Sequence, residues 1–286
     1  MAEKQMAREG GETLIVGMYS PKPGMGASTV ARQLAVHAAS ENHKVLLVEL
    51  DYRYPSTAAV WQLADRDRCL ETAVLDAQTK RNWKLNEYLM RPEQPKKDGA
   101  ACRVKTRGTQ KLSARLHVLA PSGLRGFEQC PEEPETFISD LLRQTQQQGF
   151  QWVVLDIPSE IDSVLALSAL QNVEVCILLL DETEGNYRIA QQRMSLMQTL
   201  GVPGRMLSIH NRWRPGRICW VETQKPEEWA QPVASFPFVG SLGKSSLTPA
   251  RPFSWRYRKA LRQLFQVLLQ MEKEMLSKKN ERGLPI

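Results

Sequence analysis

Residues 13–40 place a short apolar run, a glycine-bearing loop and an Ala-rich periodic stretch in immediate succession. Thr13-Leu14-Ile15-Val16-Gly17-Met18 has the unbroken apolarity of a buried strand. Val30, Leu34, His37 and Ala38 recur at helical spacing in a stretch that ends near Ser40. Between them the chain reads Tyr-Ser-Pro-Lys-Pro-Gly-Met-Gly-Ala-Ser-Thr-Val-Ala from Tyr19 to Ala31. A strand–loop–helix junction of this kind aims backbone N–H groups and a helix dipole at one point, which makes an anion site. Glycines let loop amides converge on phosphate oxygens, and a following Ser or Thr hydroxyl serves Mg²⁺. Gly24, Met25, Gly26, Ala27, Ser28 and Thr29 occupy that loop, with Ser28 facing the metal. The place that normally holds the phosphate-binding lysine is Ala27, while Lys22 stands at the loop's head.

Two further apolar runs end in carboxylates. Lys44–Asp51 closes on Glu49-Leu50-Asp51, and Gln151–Pro158 closes on Asp156-Ile157-Pro158. In open parallel sheets ligands sit beyond the carboxyl ends of the strands, so Asp51 and Asp156 are expected near the metal that Ser28 faces. β and α patterns go on alternating: a strand at Leu116–Leu119, a helix over Pro134–Gln148, and a strand over Val173–Leu180. A helix then spans Gly185–Leu200, and a strand Val233–Phe238. Such alternation predicts a doubly wound, mostly parallel α/β sheet flanked by helices. The 286 residues, 42% hydrophobic, are ample for one core, and no repeat or second domain is evident. The expected organisation is a flexible N-terminus over 1–12, one P-loop domain over 13–278, and a flexible tail over 279–286.

The chain resembles the MinD/ParA ATPases on these residues. Lys22-Pro23-Gly24-Met25-Gly26-Ala27-Ser28-Thr29 is similar to their deviant Walker A motif, Lys-Gly-Gly-x-Gly-Lys-[Ser/Thr]-Thr. Glu49-Leu50-Asp51 matches the Asp-x-Asp segment with Glu in the first place, and Asp156-Ile157-Pro158 matches Walker B and the start of switch II. His210-Asn211-Arg212-Trp213 resembles the strand end whose Asn contacts adenine. Gly-Ala-Ser-Thr is similar to the CpaE/TadZ branch, which places Flp/Tad pilus machinery. The resemblance implies ATP and Mg²⁺ as ligands and a nucleotide-sandwich homodimer in which Lys22 reaches the partner's phosphates. It also implies that Asp51 positions the attacking water and holds Mg²⁺ through water, and that Asp156 takes a Mg²⁺-bound water.

The departures bear on catalysis. Ala27 removes a charge from the β/γ-phosphates, and charge neutralisation is most of phosphoryl-transfer catalysis. Pro23 fixes φ and deletes an N–H donor. The expected function is an ATP-binding dimeric switch or scaffold for a cell-envelope machine such as a pilus, at most a slow ATPase. Two other readings stay open: an active partitioning ATPase on DNA or membrane, and a scaffold without nucleotide, such as a cellulose-synthesis accessory protein.

Net charge is +7, and residues 91–111 carry seven basic residues against two acidic, with two prolines and two glycines. That pattern is a loop insertion able to attract nucleic acid, an anionic membrane surface or an acidic protein. No helix-turn-helix accompanies it. Tyr257, Leu261, Leu264, Leu268, Met271 and Met275 form an apolar stripe on a helix expected from Phe253 to about Ser277. Arg256, Arg258, Lys259 and Arg262 surround its start, so it either packs on the sheet or lies on a membrane. No apolar stretch is long enough to span a bilayer, residues 1–12 hold no signal core, and five scattered cysteines suggest neither zinc nor disulfides. The expected location is the cytoplasm, with contact at the inner membrane left open.

Overall fold

Continuous apolar runs such as Val45–Glu49 and Val175–Leu180 are buried at every position, so each strand is covered on both faces. That is the condition of a parallel sheet sandwiched between helices. The computed structural model describes residues 13–61, 63, 67–79, 83–92, 113–123, 132–161, 163–214, 230–239 and 254–281. Strands β1 (Leu14–Tyr19), β2 (Val45–Glu49), β3 (Leu116–Leu119), β4 (Trp152–Asp156), β5 (Val175–Leu180), β6 (Arg205–Trp213) and β7 (Pro232–Pro237) form one sheet. Its order is β3-β2-β4-β1-β5-β6-β7. Every pairing between these strands is parallel.

The helices are α1 (Ala27–Ser40), α2 (Thr57–Trp61), α3 (Leu70–Thr79), α4 (Pro134–Gln147), α5 (Val164–Gln171), α6 (Glu184–Thr199) and α7 (Trp255–Glu281), with a 3-10 turn at Leu85–Glu87. The period-2 alternation of side chains divides the core between the sheet's faces. Leu14, Val16, Met18, Val45, Leu47 and Val154 pack with Leu34 of α1 and Leu264 of α7. Ile15, Leu46, Val48, Val153 and Leu155 pack with residues of α3, α4, α5 and α6. The fold class expected from the sequence, doubly wound and parallel, is the one observed.

Several boundaries differ. The expected strand Lys44–Asp51 stops at Glu49, so Asp51 lies in the turn that follows. α7 begins at Trp255 and runs to Glu281, which puts 279–281 in a helix rather than in the expected tail. Its stripe faces the core: Leu264 and Leu268 are fully buried and Tyr257, Leu261 and Met271 nearly so. Packing on the sheet therefore accounts for the amphipathicity, and no helix of the described residues is long and apolar enough to cross a membrane. Helices α2, α3 and α5 carried no sequence expectation. α2 is a single turn, and α5 (Val-Leu-Ala-Leu-Ser-Ala-Leu-Gln) is too uniformly apolar to show a period. The expected N-terminus 1–12 and all but Arg91 and Pro92 of the basic insertion 91–111 lie outside the described residues.

β1 sits between β4 and β5, so the chain leaves β1 outward to β2 and β3, returns to β4, and then crosses to β5. Strand order reverses beside β1, and crevices for ligands form at such a switch point. The register aligns Met18 with Asp156 and Glu49 with Asp156. The ends of β1, β2 and β4 thus converge beneath the loop that opens α1.

Candidate phosphate and metal site

Gly24 (φ 79°) and Gly26 (φ 96°) both adopt left-handed backbone, which glycine alone enters without steric cost. These two turns bring the chain from β1 back over the sheet edge into α1. The first helical bond runs from the Val30 N–H to the Gly26 carbonyl at 3.1 Å, and Gly26 caps the helix with no side-chain hydrogen bond. The amides of Ala27, Ser28 and Thr29 therefore open the helix without intrahelical partners, as in an anion cradle. Met25 is buried and pins the loop from below. Lys22 and Pro23 are exposed at its head, where the Lys22 carbonyl accepts from Ser20 Oγ at 3.0 Å.

The last turn of β6 clamps the loop from the other side. A bulge between His210 and Trp213 and a left-handed Arg212 (φ 61°) turn consecutive side chains onto the loop. Asn211 Nδ2 donates to the Met25 carbonyl at 2.5 Å, and Arg212 donates to the Gly24 carbonyl. In this state the Asn211 amide nitrogen, expected at an adenine, holds the phosphate loop itself.

Asp156, at the end of β4, is 2% exposed. Its carboxylate accepts from Ser28, and its Oδ2 has no hydrogen-bond partner among the described residues. Burial pushes its pKa up, and the charges of Glu49 and Asp51 push it further, while the Ser28 bond and Arg32 oppose them. Glu49 is wholly buried, and its pKa is likewise raised by burial. Its Oε1 accepts from the Ser56 N–H and Ser56 Oγ, both at 2.9 Å, and its Oε2 from the Thr57 N–H at 3.0 Å. Glu49 is thus more than the added negative charge expected of it: it fixes the chain entering α2. Asp51 is half-buried, and its Oδ1 accepts from the Arg53 and Tyr54 N–H groups at 3.0 and 2.9 Å, closing an Asx turn.

Sequence patterning passed over Arg32. Only 8% exposed, it donates to Ser56 Oγ at 2.6 Å and Thr57 Oγ1 at 3.2 Å, and it favours the ionised forms of Glu49 and Asp156. The available signal was an arginine inside the otherwise apolar Val30–Ala39 face of α1. One buried cation against two buried carboxylates leaves the cluster short of positive charge, and a divalent cation corrects that. No three acidic, His or Cys groups among the described residues make a metal site on their own. Mg²⁺ is commonly held by one or two carboxylates together with substrate phosphates. Ser28 and the unpartnered Asp156 Oδ2 fit such an ion, and the loop amides fit its phosphates. Ala27 and Pro23 fit less well, because one lacks a charge and the other an N–H.

No family model matches the chain, and no curated protein matches it. Solved structures do. The chain is similar to the septum site-determining protein MinD of Pyrococcus horikoshii complexed with Mg-ADP, at TM-score 0.65 and 16% identity, covering 90% of this chain and 96% of that one. It is similar to a ParA family ATPase from Chlorobium tepidum at 0.64 and 19%, covering 90% and 98%. A putative plasmid partition protein of Borrelia burgdorferi bound to AMPPNP gives 0.66 and 15%, covering 91% and 100%. The chain has the MinD/ParA fold. In this chain the Gly24–Thr29 loop follows β1, Asp51 lies in the turn after β2, and Asp156 ends β4.

Proposed function

We propose that this protein binds Mg²⁺ and ATP as a MinD/ParA-type switch with weak or absent hydrolysis, acting as a dimer on a cell-envelope assembly such as a pilus. One observation carries the reading: a left-handed glycine loop opens α1 directly above Ser28 and a buried, half-unpartnered Asp156. A carboxylate so buried is costly to ionise unless a cation joins it. Mg²⁺ and phosphate together supply the missing charge, while the loop amides and Ser28 orient them. In this reading Asp51 acts on a water at the same face, Lys22 serves the site of a second copy, and Asn211 Oδ1 meets a base. The absent charge at Ala27 removes transition-state neutralisation and so slows turnover. Titration calorimetry with ATP and Mg²⁺, with light scattering on the same samples, tests this. Saturable heat with doubled mass supports it, and the absence of both up to millimolar ATP refutes it.

Lys22→Ala is expected to abolish ATP-dependent dimerisation while leaving the monomer folded, because Lys22 is exposed and outside the core. Unchanged dimer mass in light scattering would sink the role given to Lys22.

A second reading, a scaffold without nucleotide, is favoured by Pro23 and by the packing of Ala27, which is 7% exposed within the core between α1 and the sheet. Ala27→Lys separates the two readings. It is expected to tighten ATP binding and to lower stability by about 1–3 kcal/mol through overpacking. Calorimetry showing destabilisation without tighter binding would favour the scaffold.

A further inference from the structure

β7 is the last strand of the sheet, and among the described residues no strand pairs with its outer edge. A groove of about 380 Å³ runs beside it, walled by Pro232, Ala234, Ser235 and Pro237 of β7 and by one side of α7. Trp213 and Trp255 also line it. The buried stripe of α7 (Tyr257, Leu261, Leu264) points at the sheet, whereas Arg256, Lys259 and Gln263 line the groove. The lining is mostly apolar and includes two cations, Arg256 and Lys259. Trp255 is 63% exposed and Phe238 47%, both among the large apolar side chains left in solvent. Arg256 lies 5.7 Å from the Trp255 ring and Arg214 4.3 Å from the Phe238 ring, which extends the cationic and aromatic surface along the edge.

Two physical terms in this region are unfavourable for the isolated chain. Arg256, Arg258 and Lys259 crowd the N-terminal end of α7, which has no acidic residue in its first turn, so cations sit on the positive end of a helix dipole. The outer edge of β7, which no strand pairs among the described residues, offers backbone donors and acceptors. An extended segment bearing carboxylates relieves both at once: its backbone pairs with the edge, alternate side chains enter the groove, and its acids meet Arg256 and Lys259. A bilayer is flat and fits a groove poorly, and a duplex offers no strand to pair.

We infer that the groove between the β7 edge and α7 docks an extended acidic peptide segment of a partner protein by strand addition. The surface lies at the far edge of the sheet from β3.

A random peptide library displayed on phage is selected on the intact protein, and the winners are resynthesised and measured by fluorescence anisotropy. The expected winners alternate acidic with β-branched or aromatic residues. They lose affinity about tenfold or more on Arg256→Glu/Lys259→Glu, keep it on Lys22→Ala, and slow amide exchange at those residues of Ala234–Phe236 whose N–H groups face away from β6. Trp255→Ser, a change at an exposed site, provides a second variant should the charge reversal fail to fold. Winners without acidic enrichment, or bound equally by the reversed variant, overturn the proposal. So does charge-dependent binding at these residues of phosphatidylglycerol vesicles or duplex DNA in place of peptides. Peptide binding that appears only after Glu222, Glu227 and Glu228 are changed to Gln also overturns it, because the groove then belongs to the chain's own segment.

Discussion

Asp156→Asn is expected to weaken Mg²⁺-dependent ATP binding by about 10- to 100-fold or more while raising the melting temperature of the nucleotide-free protein at alkaline pH. The two effects have one cause. In the fold the Asp156 carboxyl is buried beside Glu49, and its pKa rises from the ordinary 3.8 to about 8. A raised carboxyl pKa means that the folded state holds its proton more tightly than the unfolded state does. The associated stability is fully present below the unfolded value and is lost as pH climbs from 3.8 towards the folded value. Asn keeps the shape and accepts from Ser28 but has no charge to bury. The wild type should therefore lose stability across that window more steeply than the variant, which retains only the slope of Glu49. Each kcal/mol of difference moves the melting temperature by roughly 2–4 °C for a chain of this size. Scanning calorimetry at several pH values reads the effect. Parallel pH profiles for the two proteins would show that Asp156 is not a strained acid in the empty site.

Gly26→Ala is expected to destabilise the protein by roughly 2–3 kcal/mol and to remove nucleotide binding. Gly26 has φ 96°, and a Cβ built there stands 2.6 Å from Asn211 Nδ2. The variant bears a dihedral cost and also displaces the amide that holds the Met25 carbonyl. Gly24→Ala is the control, because Gly24 has φ 79° but meets nothing within 4 Å of an added Cβ. It bears the dihedral cost alone. The difference between the two variants in denaturant unfolding isolates the Asn211 contact, and Asn211→Gly in the Gly26→Ala background should return that part. Equal losses for Gly24→Ala and Gly26→Ala would mean that Asn211 does not brace the loop.

The parts of the site that were legible are those encoded by neighbours in sequence. Gly24, Gly26, Ser28 and Thr29 stand within one loop, and the apolar run before them and the Ala-rich run after them declare a strand and a helix without reference to the rest of the chain. Asp156 and Asp51 were legible as ends of apolar runs. Arg32 was not, because its meaning comes from Ser56, Thr57 and Glu49, which the sheet brings to it from another part of the chain. Arg212 was equally hidden as a clamp: a bulge and a left-handed backbone on β6 turn it onto Gly24 across 188 residues of sequence.

The C-terminal helix shows the same division. Its stripe from Tyr257 to Met275 fixed the helix and its wet and dry sides, since period and polarity are local properties. Whether the dry side met a sheet or a lipid surface was a tertiary question, answered by the contact of Leu264 and Leu268 with the core over β1 and β2. By itself the sequence determined the parallel α/β class, the glycine loop that joins β1 to α1, and the alanine that follows Gly26, because strand runs and glycine dihedrals act over a few residues. Only the tertiary structure decided which carboxylate is buried with an oxygen lacking a partner among the described residues, which side chains lock the loop, and which strand ends the sheet among those residues. Those depend on register and burial between segments far apart in the chain, and no local pattern carries that information.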